Sequence, residues 1–415
     1  MTAARNSPVR VGVFGLLGSG NLGNDGSLEA VLGYLRTEHP EAVVDALCGG
    51  PEIVTARYGI PATRLHWYRG EYRTASRLGA IAGKGLGKLV DVFRTAAWVR
   101  RHDVVIVPGM GVLEATLPLR PWGFPYSLFL LCASGRLLGT RVALVGVGAA
   151  PIRSRPTRAL LRWSARLAAY RSYRDGLSRD AMRKMGVDTR RDEVYPDLAF
   201  ALPTPPDGSP DGPSGRVCVG VMDFHGGNDD RARAEEIHRR YLEGITRFVR
   251  ALVADGREVR LLTGDDVDAP VVDAIVTAVD SPLVSAAAAD SLTDLMKEAA
   301  AADSVVATRY HNLVCALRVG TPTLALSYAE KSDALMARMG LDTYRHPARA
   351  LDADRLLAQF EALEERSAGL RQILAKRNAE AAHRLERQFT ALTAALFPTP
   401  DHTNHVHPDT RRKAP

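Results

Sequence analysis

Leu202–Gly215 reads LPTPPDGSPDGPSG. Proline locks φ and lacks an amide donor, so this stretch can hold neither a helix nor a β ladder. It reads as a linker, and one pattern runs on both sides of it. Upstream, Val9–Phe14 is a short β-branched run ending in glycines. Ser27–Glu38 then has apolar residues at helical spacing: Leu28, Val31, Leu32 and Leu35. Ala42–Leu47 is a second strand. Asp103–Val107 and Val142–Val147 are Val-rich and bounded by glycine, as buried parallel strands are, with a helical Pro125–Leu138 between them. Ser164–Tyr173 contains a helix end followed by another strand. Downstream, Arg216–Met222, Glu258–Leu262, Asp303–Ala307 and Thr323–Ser327 read as strands. Arg233–Ala254, Pro270–Val279, Leu292–Ala302, Asn312–Arg318 and Lys331–Arg338 read as helices, and Ala350–Ala395 is mostly helical.

Strands alternating with helices in two halves predict an α/β protein of two doubly wound, Rossmann-like domains facing each other across a cleft. The expected layout is an N-terminal α/β domain over 1–202, a linker over 203–215 and a C-terminal α/β domain over 216–345. C-terminal helices over 346–395 and a disordered tail over 396–415 complete it. Ligands in such sheets bind beyond the carboxyl ends of the strands, so the chemistry is sought in the turns after them.

Composition agrees with a globular chain: 415 residues, 46% hydrophobic and 24% charged. A net charge of +7 excludes an acidic disordered chain and favours anionic partners mildly, too weakly to argue for nucleic acid. Aromatic stacking residues are too sparse for single-stranded nucleic acid. No apolar run reaches the roughly 18 residues of a spanning helix. The start, MTAARNSPVR, does not read as a secretory signal. Cys48, Cys132, Cys218 and Cys315 lie far apart and suggest neither a zinc site nor a disulfide framework. These features point to a cytoplasmic protein.

The first turn runs from Gly15 to Gly26 and contains Gly18-x-Gly20-x-x-Gly23 between a strand and a helix. Such a turn can bring backbone amides to a phosphate, and the plain alternative is a tight turn that needs glycine for its backbone angles. A dinucleotide site would want an acid at the end of the second strand, but Asp45 lies inside the apolar run. Asn21, Asn24 and Asp25 are placed to contact a ligand or cap the helix. Pro108-Gly-Met-Gly111 and Gly148-Ala-Ala-Pro151 are small-residue turns, equally suited to a packing role. Arg174, Asp175 and Ser178 follow a strand, where the Arg–Asp pair can hold an anion or be a surface ion pair of little energetic value. Asp197 closes the first half and reads as a turn residue.

The most informative stretch is Thr308-Arg-Tyr-His-Asn312, followed by Gly320-Thr-Pro322 and Tyr328-Ala-Glu-Lys331. Arg309 and His311 follow one strand, and Tyr328 and Lys331 the next. Neighbouring parallel strands set these turns side by side, so two fixed cations and a histidine are expected to converge at a helix N-terminus. Histidine is the side chain best suited to proton exchange near neutral pH, although a lone histidine at a helix start is often only a cap.

These motifs resemble the polysaccharide pyruvyl transferase family. The resemblance rests on the turn Gly18–Gly26, the turn Pro108–Gly111, Ser172-Tyr-Arg-Asp175 with Ser178, Pro196-Asp197, and Arg309-Tyr-His311 with Gly320-x-Pro322 and Tyr328-x-x-Lys331. Together they span about residues 10 to 340. The first turn is one residue longer than the family's Gly-Asn-x-Gly-Asp, and the family's triple glycine stands here as Pro-Gly-Met-Gly. The resemblance implies a two-domain fold like the B-type glycosyltransferases. It also implies transfer of the pyruvyl group of phosphoenolpyruvate onto two sugar hydroxyls, as a ketal, with release of phosphate. The implied catalytic residue is His311, and the implied substrate contacts are Arg309, Lys331, Arg174, Asn21, Asp25 and Tyr328, with Gly18, Gly20 and Gly23 as a phosphate loop. The implied donor substrate is phosphoenolpyruvate, with no other cofactor and no metal expected, and the implied acceptor is a sugar of a polysaccharide or glycolipid precursor. Arg153, Arg155, Arg158, Arg162 and Arg166 fall on or near one helix, which is either a solvated face or a peripheral contact with the inner membrane surface where lipid-linked sugars sit. A two-domain glycosyltransferase using a nucleotide sugar, a nicotinamide oxidoreductase and a catalytically silent glycan-binding relative stand as alternatives.

Overall fold

The computed structural model describes residues 8–67, 77–114, 121–205, 214–227 and 229–397, without the side chains of 77–84. The middle of the expected linker and nearly all of the expected tail lie outside the described residues.

The first sheet contains β1 (Arg10–Gly15), β2 (Val43–Cys48), β3 (Ala62–Arg64), β4 (Val104–Pro108), β5 (Arg141–Val147), β6 (Tyr170–Tyr173) and β7 (Glu193–Val194). Its spatial order is β3-β2-β1-β4-β5-β6-β7. The second contains β8 (Arg216–Gly220), β9 (Glu258–Leu262), β10 (Val284–Ala286), β11 (Ser304–Ala307), β12 (Thr323–Ser327) and β13 (Arg345–Pro347), in the order β10-β9-β8-β11-β12-β13. Every pairing is parallel. Each sheet therefore starts at its centre, runs to one edge, returns and runs to the other. The reversal points lie between β1 and β4 and between β8 and β11, which is where such folds form crevices.

The local reasons are plain in the sequence. All five residues of β4, VVIVP, are buried, as expected of a strand covered by helices on both faces. The helix Leu22–Glu38 begins one turn earlier than its apolar spacing indicates, because Asn21 caps it by accepting from the Asn24 amide. Strands β3, β7, β10 and β13 have two or three residues each and lie toward sheet edges, too short to show a period.

The C-terminal helices do not stay with the second domain. The helix Ser367–Leu396 crosses back onto the first: Tyr34 stacks on Phe389 and bonds Thr393, and Gln388 donates to Ser172. Arg141 donates to the Leu396 carbonyl and Arg384 to that of Val194. One apolar cluster accordingly runs from Val11 and Val104 through the second sheet to Leu396. The other face of the first sheet has its own core around Phe14, Leu128 and Tyr173.

Candidate active site

Five strand ends deliver side chains to one place at the seam between the domains. After β4, Gly109 and Met110 both take positive φ, and the chain turns so that Leu113 bridges to Ala149 beyond β5. The Met110 carbonyl accepts from Gly148, and Leu113 donates to the Gly148 carbonyl. These ties lay Glu114 over Gly148, where a Cβ would sit 2.4 Å from Glu114 Oε1 and 2.5 Å from an Arg174 nitrogen. Glycine is required there because two side chains occupy its open face.

Arg174, at the end of β6, is 3% exposed and meets three acids. It bonds Glu114, and lies 3.7 Å from both Asp175 and Asp197. Tyr310 places its ring 4.9 Å from the guanidinium carbon. Asp175 also caps the following helix through the Ser178 amide, and Asp197 accepts from the Ala199 amide. From the second domain, Lys331 reaches Glu114 Oε2 at 3.3 Å. Burial alone would raise the Glu114 carboxyl, but Arg174 and Lys331 outweigh it and hold it down at about 2.

His311 sits in the first turn of the helix Tyr310–Arg318, with Nε2 3.9 Å from Asp197 Oδ2. Its side chain is 15% exposed. Burial pushes its pKa down to about 4; Asp197 opposes this, while Arg174 and Lys331 add to it. The imidazole is therefore neutral at pH 7. Its ring packs on Gly23 of the first domain, where a Cβ would come within 1.9 Å of Nδ1. Gly23→Ala is expected to push the imidazole off Asp197 and lower turnover by roughly 10²-fold, the cost of about 1 Å of misplacement at a reacting group. Turnover and melting temperature measured together check this; a normal rate in a folded variant would show that His311 need not sit against residue 23.

The other residues singled out by sequence are held by further partners. Arg309 clamps Asp268 with Nε and Nη2, the Nε bond being 2.8 Å. Asp268 is fully buried, which explains the pairing. Tyr328 packs near Phe224, its ring 6.0 Å from Lys331 Nζ. Asn21 bridges the domains by donating to Asp265 Oδ2 at 2.8 Å. The Gly18–Gly23 turn is filled by carboxylates: the Gly18 amide donates to Asp25 at 2.7 Å, and a Cβ on Gly20 would meet Asp266 at 2.4 Å. Asp25 is buried, and burial raises its pKa. The turn thus serves helix capping and domain contact, with acids where a phosphate would need donors. Asp45, the acid a dinucleotide would require, is held by Trp98 Nε1 at 2.8 Å and His102 at 3.1 Å. Arg153 of the basic segment pairs with Asp229 across the domains.

Two residues escaped the sequence reading. Glu114 follows a glycine turn that gave no hint of an acid's role. Asn312 is 1% exposed, lies against Gly220 and Gly264, and neither its Oδ1 nor its Nδ2 has a hydrogen-bond partner among the described residues. A buried unpaired amide beside a helix N-terminus is a group kept for a ligand or a water.

The structure of UDP-GlcNAc 2-epimerase from Neisseria meningitidis bound to UDP-GlcNAc superposes with a TM-score of 0.60 at 12% identity, over 93% of this chain and 99% of that one. Acinetobacter baumannii MurG gives 0.52 at 12% identity, over 93% and 100%. A glycosyltransferase from Rickettsia africae gives 0.55 at 9% identity, over 95% and 100%. At these identities the likeness is one of fold, and it places the protein among two-domain, B-type glycosyltransferase-like architectures. No curated protein sequence matches. The model of the family described as polysaccharide pyruvyl transferase matches residues 21–330, which include both halves of the seam and Glu114, Arg174, Asp197 and His311 of its cluster, and end just before Lys331. The chain belongs to the polysaccharide pyruvyl transferase family.

Proposed function

We propose that the protein moves the pyruvyl group of phosphoenolpyruvate onto two hydroxyls of a sugar in a polysaccharide or glycolipid precursor. The observation that supports this most is the neutral imidazole of His311 held between Asp197 and the Arg174–Glu114–Lys331 chain at the domain seam. The reaction protonates C3 of the enol, forms a C–O bond from a sugar hydroxyl to C2, and breaks the C2–O bond to phosphate. A second hydroxyl then closes the ketal. Of the two hydroxyl protons, one is matched by the proton gained at C3 and the other leaves with phosphate. His311 takes a proton from the attacking hydroxyl, and Asp197 stabilises the imidazolium that results.

Anion contacts come from Lys331 Nζ, from the part of the Arg309 guanidinium not bonded to Asp268, and from the amides opening the helix Tyr310–Arg318. Arg174, enclosed by three carboxylates, acts by positioning Glu114 and Asp197. Asn312 supplies a hydrogen bond to the donor. The lipid linkage of the acceptor, and contact of the helix Arg155–Leu167 with a membrane surface, belong to the same proposal.

The test is phosphate release from phosphoenolpyruvate against a panel of glycans and sugar lipids, compared with nucleotide sugars. Release that needs both donor and acceptor is expected, and Lys331→Ala should raise the apparent KM for the donor by tens-fold or more, as loss of a charge contact of about 2–5 kcal/mol implies. Turnover of a nucleotide sugar without any release from phosphoenolpyruvate would replace the assignment by glycosyl transfer.

A further inference from the structure

The loop after β8 and the helix Ala234–Ala254 bring together three ligand-type side chains outside the catalytic cluster. His225 Nε2 lies 2.9 Å from Asp223 Oδ1, and His238 Nδ1 lies 3.3 Å from the same oxygen. The two imidazoles stack with centroids 4.3 Å apart and planes 9° from parallel. One ligand atom from each of the three residues can be chosen so that all lie within 4.8 Å of one another. His238 Nδ1 is shielded from water and, though 3.3 Å from Asp223 Oδ1, makes no well-aligned hydrogen bond among the described residues.

We infer that Asp223, His225 and His238 form a divalent transition-metal site of the zinc class. Two imidazole nitrogens and one carboxylate oxygen are the donor set that first-row metals such as Zn²⁺ take, and calcium and magnesium do not. Metal–ligand bonds of about 2.0–2.2 Å put ligand atoms roughly 3.3 Å apart, close to the 2.9 and 3.3 Å from Asp223 Oδ1 to the two ring nitrogens, and the near-parallel rings turn to aim both at one ion. The triad's solvent side is open, since His225 and Asp223 are each more than a third exposed, and water completes the coordination. An outer carboxylate is also present: Glu235 lies 3.9 Å from His225 Nδ1, where it can orient the ring.

The site is tied to the rest of the seam. The Asp223 amide donates to Asp268 Oδ1 at 2.9 Å, and Asp268 clamps Arg309. The same loop carries Asp229, paired with Arg153 of the first domain, and Asp230, paired with Arg349. A bound metal would fix this loop between the helix Ala234–Ala254 and the first domain. Its role is to order the loop; the transfer chemistry does not pass through it.

The test uses the full chain with His402, His405 and His407 changed to Ala, because that histidine-rich stretch would bind zinc on its own. After chelation and dialysis, Zn²⁺ is titrated calorimetrically, and Co²⁺ is followed by visible absorption. One metal per chain with micromolar affinity or better is expected. His225→Ala, His238→Gln and Asp223→Asn should each weaken it by more than about 10-fold, the smallest effect usual even for a residue behind the ligands. Zinc should also raise the melting temperature of the parent chain and not of the His225→Ala variant, whose exposed loop position leaves folding intact. Zinc binding weaker than millimolar by a folded parent, or binding unchanged in all three variants, would show a hydrogen-bonded triad and overturn the inference.

Discussion

His311→Ala is expected to lose turnover by about 10²–10⁴-fold while retaining phosphoenolpyruvate binding, since Lys331 and Arg309 remain. The comparison that decides its role is His311→Gln at saturating donor. Glutamine keeps a hydrogen-bonding group but cannot carry a proton, so it should be nearly as slow as alanine. Near-normal turnover in the Gln variant would leave His311 a binding residue. A second consequence comes from the depressed pKa. The unfolded histidine titrates near 6.5 and the folded one near 4. Between those values the unfolded chain binds more protons, so stability falls as pH drops from 6.5 to 4, by about 3 kcal/mol for this group. Above 6.5 the contribution is flat. Denaturant midpoints across that window should show the slope in the native chain, and His311→Gln should remove that share of it.

Glu114→Ala is the second large effect. It leaves Arg174, 3% exposed, without its closest carboxylate, and releases Lys331 from the first domain. Breaking a buried pair by removing one partner costs about 3–5 kcal/mol. The lower end is expected, because Asp175 and Asp197 both remain 3.7 Å from the guanidinium. Glu114→Gln, which fills the same volume and still accepts a hydrogen bond, should lose less. Thermal melts of the three proteins check the order. Equal melting temperatures for Ala and native chains would mean that the guanidinium is compensated without Glu114. The Ala variant should also be slower, because Arg174 holds Asp197 beside His311.

Much of this protein was legible before its structure. Hydrophobic period is a local property, so the runs at β1, β4, β5, β9 and β12, and helices such as Ala234–Ala254 and Leu292–Ala300, could be read directly, whereas the helices Pro51–Tyr58 and Arg77–Val99 were not. Parallel strands send all their carboxyl ends to one side, which is why Arg174, His311 and Lys331 could be placed at one seam from their positions after strands. Asp197 was visible only as a turn residue, because its second oxygen faces Arg174 and, from the other domain, His311, neither of them near it in sequence.

What the chain determined by itself is therefore the alternation of elements and the strand ends after which Arg174, His311 and Lys331 stand. Which charge meets which was decided by tertiary structure. Arg309 reads as a free cation, yet a fully buried Asp268, 41 positions away, must be neutralised and takes it. Glu114 and Lys331 are 217 positions apart and meet only when the domains close. Asp25, Asp265 and Asp266 fill a glycine turn that sequence alone offers to a phosphate. The return of Ser367–Leu396 to the first domain has the same origin. Pairing of buried charges and covering of apolar faces are settled by desolvation, which depends on what lies nearby in space and leaves no period in the sequence.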